Sequence, residues 1–309
     1  MSGRPAKYSL FLCLCASALA QAQVTFTGTT SDDAFLATGS PSNPKGTNLT
    51  ALNFGLGGVL LVASAASTNG EFQSVLKFNL SGATSLFHTS YGTGWTISGI
   101  SIELTSNVGT AGTQPDNPLF NPVCGGNFVI QWLADDNWVE GSGRPNFPAT
   151  DGVTYSSLSN LLAGGHEILC TNTYSPPGNN VHQTWSLPLQ EGLLQDIADG
   201  RAVSLRLYAA DDQINYLFNS HNFGNGNEPL IHITAAPLPK ILSGHLANGF
   251  FHLVGIGAAN TSYEVQASPD LATTNWQTLG TTTAADTGEI QFDDIATTNQ
   301  PQRFYRITR

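Results

Sequence analysis

The stretch "TISGISIEL" at residues 96–104 decides the fold. Its apolar residues Ile100, Ile102 and Leu104 alternate with polar ones, so a strand formed here has one buried face and one wet face. The stretch "AVSLRLYAA" at residues 202–210 repeats the alternation. Antiparallel sheets that pack face to face need this pattern. The sequence therefore predicts an all-β protein, an antiparallel jelly-roll-like β-sandwich.

The rest of the chain from Val24 onward consists mainly of further strand-like segments separated by turn residues. A parallel α/β fold would need regular crossover helices. Only "LQEGLLQDIADG" at 189–200 has a helical pattern, with Gly200 as its C-terminal stop, and "SSLSNLLAG" at 156–164 predicts a second short helix.

The length of 309 residues favours two domains over one large domain. The segment "TAAPLPK" at 234–240 reads as a hinge, because strand patterns stop before it and restart after it. We expect a larger β-sandwich over residues 23–236. A smaller immunoglobulin- or fibronectin-like β-sandwich is expected over residues 237–309.

Residues 1–22 have the pattern of a secretory signal peptide. Arg4 and Lys7 precede the short apolar run "SLFLCLCASALA", and small residues follow. The alternative is a membrane anchor, which this run is too short to form. We therefore expect an exported protein, secreted or at the cell surface, that does not stay inserted in the membrane.

The chain is acidic, with 11 Lys and Arg against 22 Asp and Glu. Loss of residues 1–22 would remove two basic residues and no acidic one, which leaves a charge of −13. Such a surface repels phosphate backbones and anionic lipids. This excludes nucleic acid as an expected partner and favours neutral, cationic or metal-bridged ones.

Two cysteines, Cys124 and Cys170, would remain after export. In an oxidising compartment such a pair predicts a disulfide, which would close a loop of 46 residues and stabilise the fold by roughly 3–4 kcal/mol. The alternative is two separate thiols, because spacing does not place the two sulfurs within bonding distance.

Ordered landmarks cover the larger predicted domain: "DDAFLATGSPSNPKGTNLTALNFG" at 32–55, "QSVLKFNLSG" at 73–82, "WLADDNWVEGSG" at 132–143, "DGVTYSS" at 151–157, "WSLPLQEGLLQDIADG" at 185–200 and "YLFNSHNFGNGNEPLIHIT" at 216–234. In their order and spacing they resemble the DNRLRE-type β-sandwich family, some members of which are carbohydrate-binding modules of exported bacterial proteins. The sequence departs from the family pattern at Tyr155, where a Trp is common. It departs again at "SHNFGNGNEP", which replaces a Ser-Arg-Glu run.

The last block carries "YEVQASPDL", "NWQTLG" and "PQRFYRIT". It resembles C-terminal fibronectin-like modules of exported bacterial proteins. The resemblance implies a spacer or attachment role and no chemistry.

Sugar-binding β-sandwiches stack aromatic rings on the apolar face of a pyranose. The aromatic residues that we regard as candidate ligand-binding residues are Trp95, Tyr91, Tyr155, Tyr174 and Tyr216. Trp132 and Trp138 we expect to pack in the core, because buried aromatics are common there.

Paired aspartates could supply oxygen ligands for Ca²⁺, the one cofactor that the sequence suggests. Asp33 and Asp211 are the candidates, since each lies beside a predicted strand of the larger domain. No complete ligand series such as an EF-hand loop is present, and paired Asp residues also form turns.

The sequence lacks an assembled catalytic motif: "GHEILC" at 165–170 has no second His for a zinc-protease pair, and no G-x-S-x-G segment occurs. We therefore expect a non-catalytic polysaccharide-binding or cell-surface structural protein. One alternative is a jelly-roll polysaccharide lyase that uses Tyr216, His221 and Arg206. The other is a purely structural adhesin or matrix component.

Overall fold

The computed structural model describes residues 23–107, 124–224, 226–272, 275–295 and 302–309. The fold is all-β with antiparallel sheets, 48% strand and 11% helix, which confirms the predicted class. The chain forms two compact units, Gln23–Leu238 and Pro239–Arg309. The predicted signal peptide, residues 1–22, lies outside the described residues.

The described residues of the larger unit form ten strands, three α-helices and two short 3-10 helices. The strands are β1 (Val24–Ala37), β2 (Val59–Ala63), β3 (Phe72–Phe78), β4 (Trp95–Thr105), β5 (Gly126–Leu133), β6 (His166–Tyr174), β7 (His182–Leu187), β8 (Val203–Ala209), β9 (Asn215–Asn219) and β10 (Leu230–Pro237). The helices are α1 (Ala83–Tyr91), α2 (Leu158–Ala163) and α3 (Glu191–Asp199), and the 3-10 helices are η1 (Tyr155–Ser157) and η2 (His221–Phe223).

Strand β1 belongs to both layers of the sandwich. Its first half, Val24 to Thr29, pairs with β10. Its second half pairs with β3 after a register shift between Thr30 and Asp32. Such a bulge bends a strand and increases its twist, so one strand can leave one sheet and enter the next.

All the pairings in the two layers are antiparallel. The first sheet has the order β1-β10-β4-β7 and the second the order β1-β3-β8-β5-β6. Strand β9 pairs with β2, and β2 meets β3 at Ala63.

The main core lies between the two sheets. Alternate residues of facing strands fill it, among them Ile102 of β4, Leu76 of β3 and Leu205 of β8, each fully buried. Near the outer strands β6 and β7 the core is aromatic, and its rings come from Phe128, Tyr174, Trp185, Tyr216 and Phe218. Aromatic burial of this extent is a large share of the hydrophobic stabilisation of the unit.

The outer face of the second sheet is covered by the segment that follows β5. Ala34 and Leu36 of β1 pack there against Trp138 and the helix residues Leu158 and Leu161. Trp138 is 6% exposed and its Nε1–H donates to Ser204 Oγ at 3.0 Å, so this ring is a core residue as expected.

Two of the three α-helices are those that the sequence predicts. Both predicted helices form, as α2 and α3, and α3 ends at Gly200 in the left-handed conformation (φ 65°). Helix α1 was not predicted. It is nine residues long and buries only Ala83 and Phe87, which gives too weak a periodic signal to recognise.

The smaller unit is a sandwich of two three-stranded sheets, ordered β11-β12-β15 and β14-β13-β16. The strands are β11 (Lys240–Ala247), β12 (Phe250–Ile256), β13 (Ser262–Ser268), β14 (Gln277–Thr283), β15 (Glu289–Asp294) and β16 (Phe304–Thr308). Its core contains Leu253, Tyr263, Val265, Ile290 and Ile307. A two-residue turn, Asn248–Gly249, joins β11 to β12 with positive φ at both positions, as a tight hairpin requires.

The predicted disulfide between Cys124 and Cys170 is wrong, because no bond joins the two sulfurs. Cys170 lies on β6 opposite Ile130 of β5. Cys124 lies six residues before Ile130, ahead of β5, and forms an isolated bridge with Asn215, so the two cysteines have different partners in the sheet.

The substitution Cys124→Ser should therefore change stability little. We expect a loss below about 1 kcal/mol, against roughly 3–4 kcal/mol for the removal of a crosslink of this loop length. Urea unfolding followed by tryptophan fluorescence, with and without reductant, measures the difference. A midpoint of the parent chain that falls strongly on addition of reductant would contradict the structure.

Candidate functional site

The five candidate aromatics do not form one platform. Tyr174 and Tyr216 lie in the core, 1% and 0% exposed, with ring centroids 4.1 Å apart. Neither ring is available to stack on a sugar, which corrects the expectation for these two residues. The alternation of apolar and polar residues predicts strands at Tyr174 and Tyr216 but does not indicate which face of each strand is buried.

The other three aromatics are partly buried and already hold contacts. Trp95 packs against Phe87, with ring centroids 5.1 Å apart, and the hydroxyl of Tyr91 donates to the carbonyl oxygen of Ala235 at 3.1 Å. Tyr155 donates to Glu71 Oε2 at 2.6 Å, and burial, together with that carboxylate, raises the pKa of Tyr155 to about 12. Tyr155 belongs to a different part of the unit from Trp95 and Tyr91.

A cleft of about 430 Å³ opens instead beside Trp132. Three elements build it: β5 supplies Trp132, β6 supplies Glu167, and α3 supplies Glu191 and Asp196. Glu167 lies directly opposite Trp132 in the ladder, so the two side chains share a face of the sheet. The remaining lining residues are Ala134, Gly192, Gln195 and Arg201.

The first turn of α3 rests directly on the indole of Trp132. A Cβ added at Gly192 would lie 2.5 Å from the Trp132 ring, so only glycine permits this approach. The ring is therefore held in one orientation, and it stays partly exposed at the cleft. An aromatic held in this way can receive a ligand without first losing side-chain freedom.

Asp196 fixes the polar side of the cleft. The Trp132 Nε1–H donates to Asp196 Oδ2 at 2.7 Å, and Arg201 Nη2 lies 2.8 Å from Asp196 Oδ1. The pKa of Asp196 is raised to about 6, mainly by burial and also by the nearby carboxylates of Asp136 and Asp199. The contacts with Trp132 and Arg201 oppose this rise only in part.

The cleft as a whole offers more acceptors than donors. Among the described residues of the lining, Glu167, Glu191 and Asp196 bring three carboxyl groups and Arg201 is the one cation. The oxygens of Asp196 already contact Trp132 and Arg201, which leaves Glu167 and Glu191 as the acceptors for a ligand. Carboxylates accept hydrogen bonds from hydroxyl groups and repel anions. The site therefore suits a neutral, hydroxyl-rich ligand. The sequence does not reveal this site, because its members are far apart in the chain and because Trp132, which packs against the core as expected, gives no sign that part of its ring stays exposed.

The two candidate metal aspartates have different surroundings. Both carboxylate oxygens of Asp211 are taken by backbone amides: Oδ2 accepts from Asn127, and Oδ1 accepts from Gln213 and Ile214. Asp211 is thus a turn-forming residue, and these bonds outweigh its slight burial to lower its pKa. The structure does not place it beside Asp33.

Asp33 lies in a three-residue cluster with Glu140 and His221. One potential donor atom from each residue falls within 4.8 Å of the others, and this is the one such Asp, Glu, His or Cys group among the residues that the structure describes. The backbone N–H of His221 donates to Asp33 Oδ2 at 2.7 Å, and the backbone N–H of Asp33 donates to Glu140 Oε1 at 3.2 Å.

The three residues of the lyase alternative do not form a site. Tyr216 lies in the core. Arg206 pairs with Val75 across the ladder and Asp33 with Leu76, so Arg206 and Asp33 point to opposite faces of the sheet. His221 accompanies Asp33, whereas Arg206 donates to Gln73 and Gln131 on the other face.

Comparison of the sequence with protein-family models and with curated proteins found no match. Within the described ranges, no helix has both the length and the apolar character that crossing a bilayer requires.

Titration of Asp196 should weaken the larger unit as the pH rises. Its pKa is about 6 in the folded chain and lower in the unfolded one, so its stabilising contribution is complete below pH 4 and is lost as the pH passes 6. In Asp196→Asn this contribution does not titrate. The free energy of unfolding of the parent chain minus that of the variant should thus decrease from pH 4 to pH 7 in urea titrations, and a pH-independent difference would contradict the assignment.

Proposed function

We propose that this chain is an exported, non-catalytic polysaccharide-binding protein, and that the cleft beside Trp132 holds a sugar residue of a neutral glycan. The observation that carries the proposal is the convergence of a partly exposed, immobilised indole with three carboxyl groups in one concavity of about 430 Å³. Clefts of this size bind small ligands or single units of a polymer.

The chemistry of the cleft matches a pyranose. The apolar C–H face of a sugar complements the π surface of an indole, and its hydroxyls donate to carboxylates. Gln195, exposed on α3, can both donate and accept at the rim. An acidic glycan would instead meet Glu167 and Glu191 as like charges, which is unfavourable.

Sequence features support the exported setting. Residues 1–22 have a signal-peptide pattern, and the chain is acidic. The resemblance of residues 24–236 to DNRLRE-type β-sandwich domains agrees with glycan binding, and the smaller unit then serves as a spacer or attachment module.

Affinity gel electrophoresis tests the proposal with soluble β-glucan, mannan and xylan as neutral probes and alginate and pectin as acidic ones. We expect retardation by at least one neutral polymer and none by the acidic polymers. Glu191→Ala and Gln195→Ala, both exposed and therefore harmless to folding, should each weaken retardation about fivefold to tenfold, since each removes hydrogen bonds to the ligand.

Glu289→Ala is the matched control, because it removes an exposed carboxylate from the smaller unit and should leave retardation unchanged. Equal binding by all three variants would place the glycan elsewhere. If no polymer retards the protein, the proposal is wrong and the structural adhesin is the alternative that remains. An ultraviolet-absorbing unsaturated product in the same mixtures would favour a lyase.

A further inference from the structure

Three separate segments bring donor atoms to one point of the larger unit. Asp33 lies on β1 two residues past the bulge, Glu140 lies in the segment after β5, and His221 begins η2 directly after β9. His221 Nδ1 is 3.3 Å from Asp33 Oδ2 and 3.4 Å from Glu140 Oε1. None of the three residues lines the cleft beside Trp132.

These separations match a metal coordination sphere. Nitrogen and carboxylate ligands lie about 2.0–2.1 Å from Zn²⁺, and the edge of a tetrahedron of that radius is about 3.3–3.4 Å. His221 Nδ1 therefore already lies at the ligand-to-ligand spacing from each carboxylate oxygen, and all three donor atoms fall within 4.8 Å of one another.

Two of the atoms available to an ion have no hydrogen-bond partner among the described residues, whereas Asp33 Oδ2 and Glu140 Oε1 each already accept a backbone N–H. Asp33 is 0% exposed, and its Oδ1 accepts no hydrogen bond from the residues that the structure describes. Within the described part of the chain His221 Nδ1 also forms no hydrogen bond, although it lies 3.3 Å from Asp33 Oδ2. A buried carboxylate oxygen without a partner is costly and needs an explanation.

Asn219 is a fourth buried polar side chain in this region whose polar atoms lack hydrogen-bond partners among the described residues. Asn219 ends β9, two residues before His221, and is fully buried. Among the described residues, neither its amide oxygen nor its amide nitrogen has a hydrogen-bond partner. Its oxygen is a suitable donor for a divalent ion.

An ion triad with a protonated His221 is the competing explanation. It would place one positive charge between two carboxylates and would leave Asp33 Oδ1 unsatisfied. A divalent cation balances both carboxylates and occupies the unpaired atoms. It therefore accounts for features that the triad leaves unexplained.

We propose that Asp33, Glu140 and His221 bind a divalent transition-metal ion of the Zn²⁺ type. One imidazole with two carboxylates suits such an ion, whereas Ca²⁺ prefers six to eight oxygen ligands. This differs from the expected Ca²⁺ site at Asp33 and Asp211. The ion joins the bulge of β1, the segment after β5 and the turn after β9, so its role is to stabilise the fold.

The test uses the tag-free full chain, stripped with a chelator and then titrated with Zn²⁺, Mn²⁺ or Ca²⁺. We expect one Zn²⁺ per chain by isothermal titration calorimetry, a raised melting temperature with Zn²⁺, and no such rise with Ca²⁺. Co²⁺ in place of Zn²⁺ should give visible absorption bands of a four-coordinate ion. No uptake of Zn²⁺ or Co²⁺, or tighter binding of Ca²⁺ than of Zn²⁺, would overturn the proposal.

Variants locate the ion. His221→Gln and Glu140→Gln should each lower the Zn²⁺ affinity at least about 100-fold, since even substitutions behind a ligand cost up to that amount. His232→Gln is the matched control, because His232 pairs with Glu103 on the other sheet, where an adventitious ion could bind.

Unchanged affinity in His221→Gln or Glu140→Gln, or its loss in His232→Gln, would refute the site. Circular dichroism of the metal-free variants shows which of them fold. If neither folds, the presence or absence of four-coordinate Co²⁺ bands in the unmodified chain decides whether the protein binds an ion of this type. Glycan retardation is measured separately on the metal-free and Zn²⁺-loaded chains, so failure of the metal site and failure of the cleft are distinguishable.

Discussion

The bulge in β1 is the constraint on which the larger unit depends. A single strand pairs with β10 before the register shift and with β3 after it, so both sheets are fixed to one continuous backbone. The bulge sets the bend and twist between the layers. It also determines which face of the sheet each later residue of β1 lies on. Asp33 lies on the inner face, opposite Leu76 of β3, and Ala34 lies on the outer face.

The bulge places the carboxylate of Asp33 in the protein interior, where the loss of hydration is unfavourable. Asp33 is fully buried, and burial raises its pKa while His221 lowers it. Charged groups of this kind persist in a core only when other groups compensate for the lost water. The compensation comes from the turn after β9, where the backbone N–H of His221 donates to Asp33 Oδ2 and the imidazole Nδ1 lies 3.3 Å from the same oxygen.

The cleft beside Trp132 follows a different principle, since its shape is set by packing. Gly192 permits α3 to sit on the indole, and the hydrogen bond from Trp132 to Asp196 fixes the angle of the ring. Its carboxylates are held by rigid elements, the strand β6 and the helix α3, and not by long loops. A preformed site loses little side-chain freedom on binding, and its acidic lining disfavours anionic ligands.

The sequence by itself determined the class of the fold, because period-two alternation in segments such as 96–104 and the stop at Gly200 are local and persist in any context. It also identified Asp33 as a candidate ligand. Only the tertiary structure decided that Cys124 and Cys170 are not bonded, that Tyr174 and Tyr216 are buried, and that Glu140 and His221 join Asp33. These facts depend on which strands pair and on their register, which place Asp33 and His221 in contact although they are 188 positions apart. No local pattern encodes such pairings, since a strand shows that one face is buried but not what lies against it.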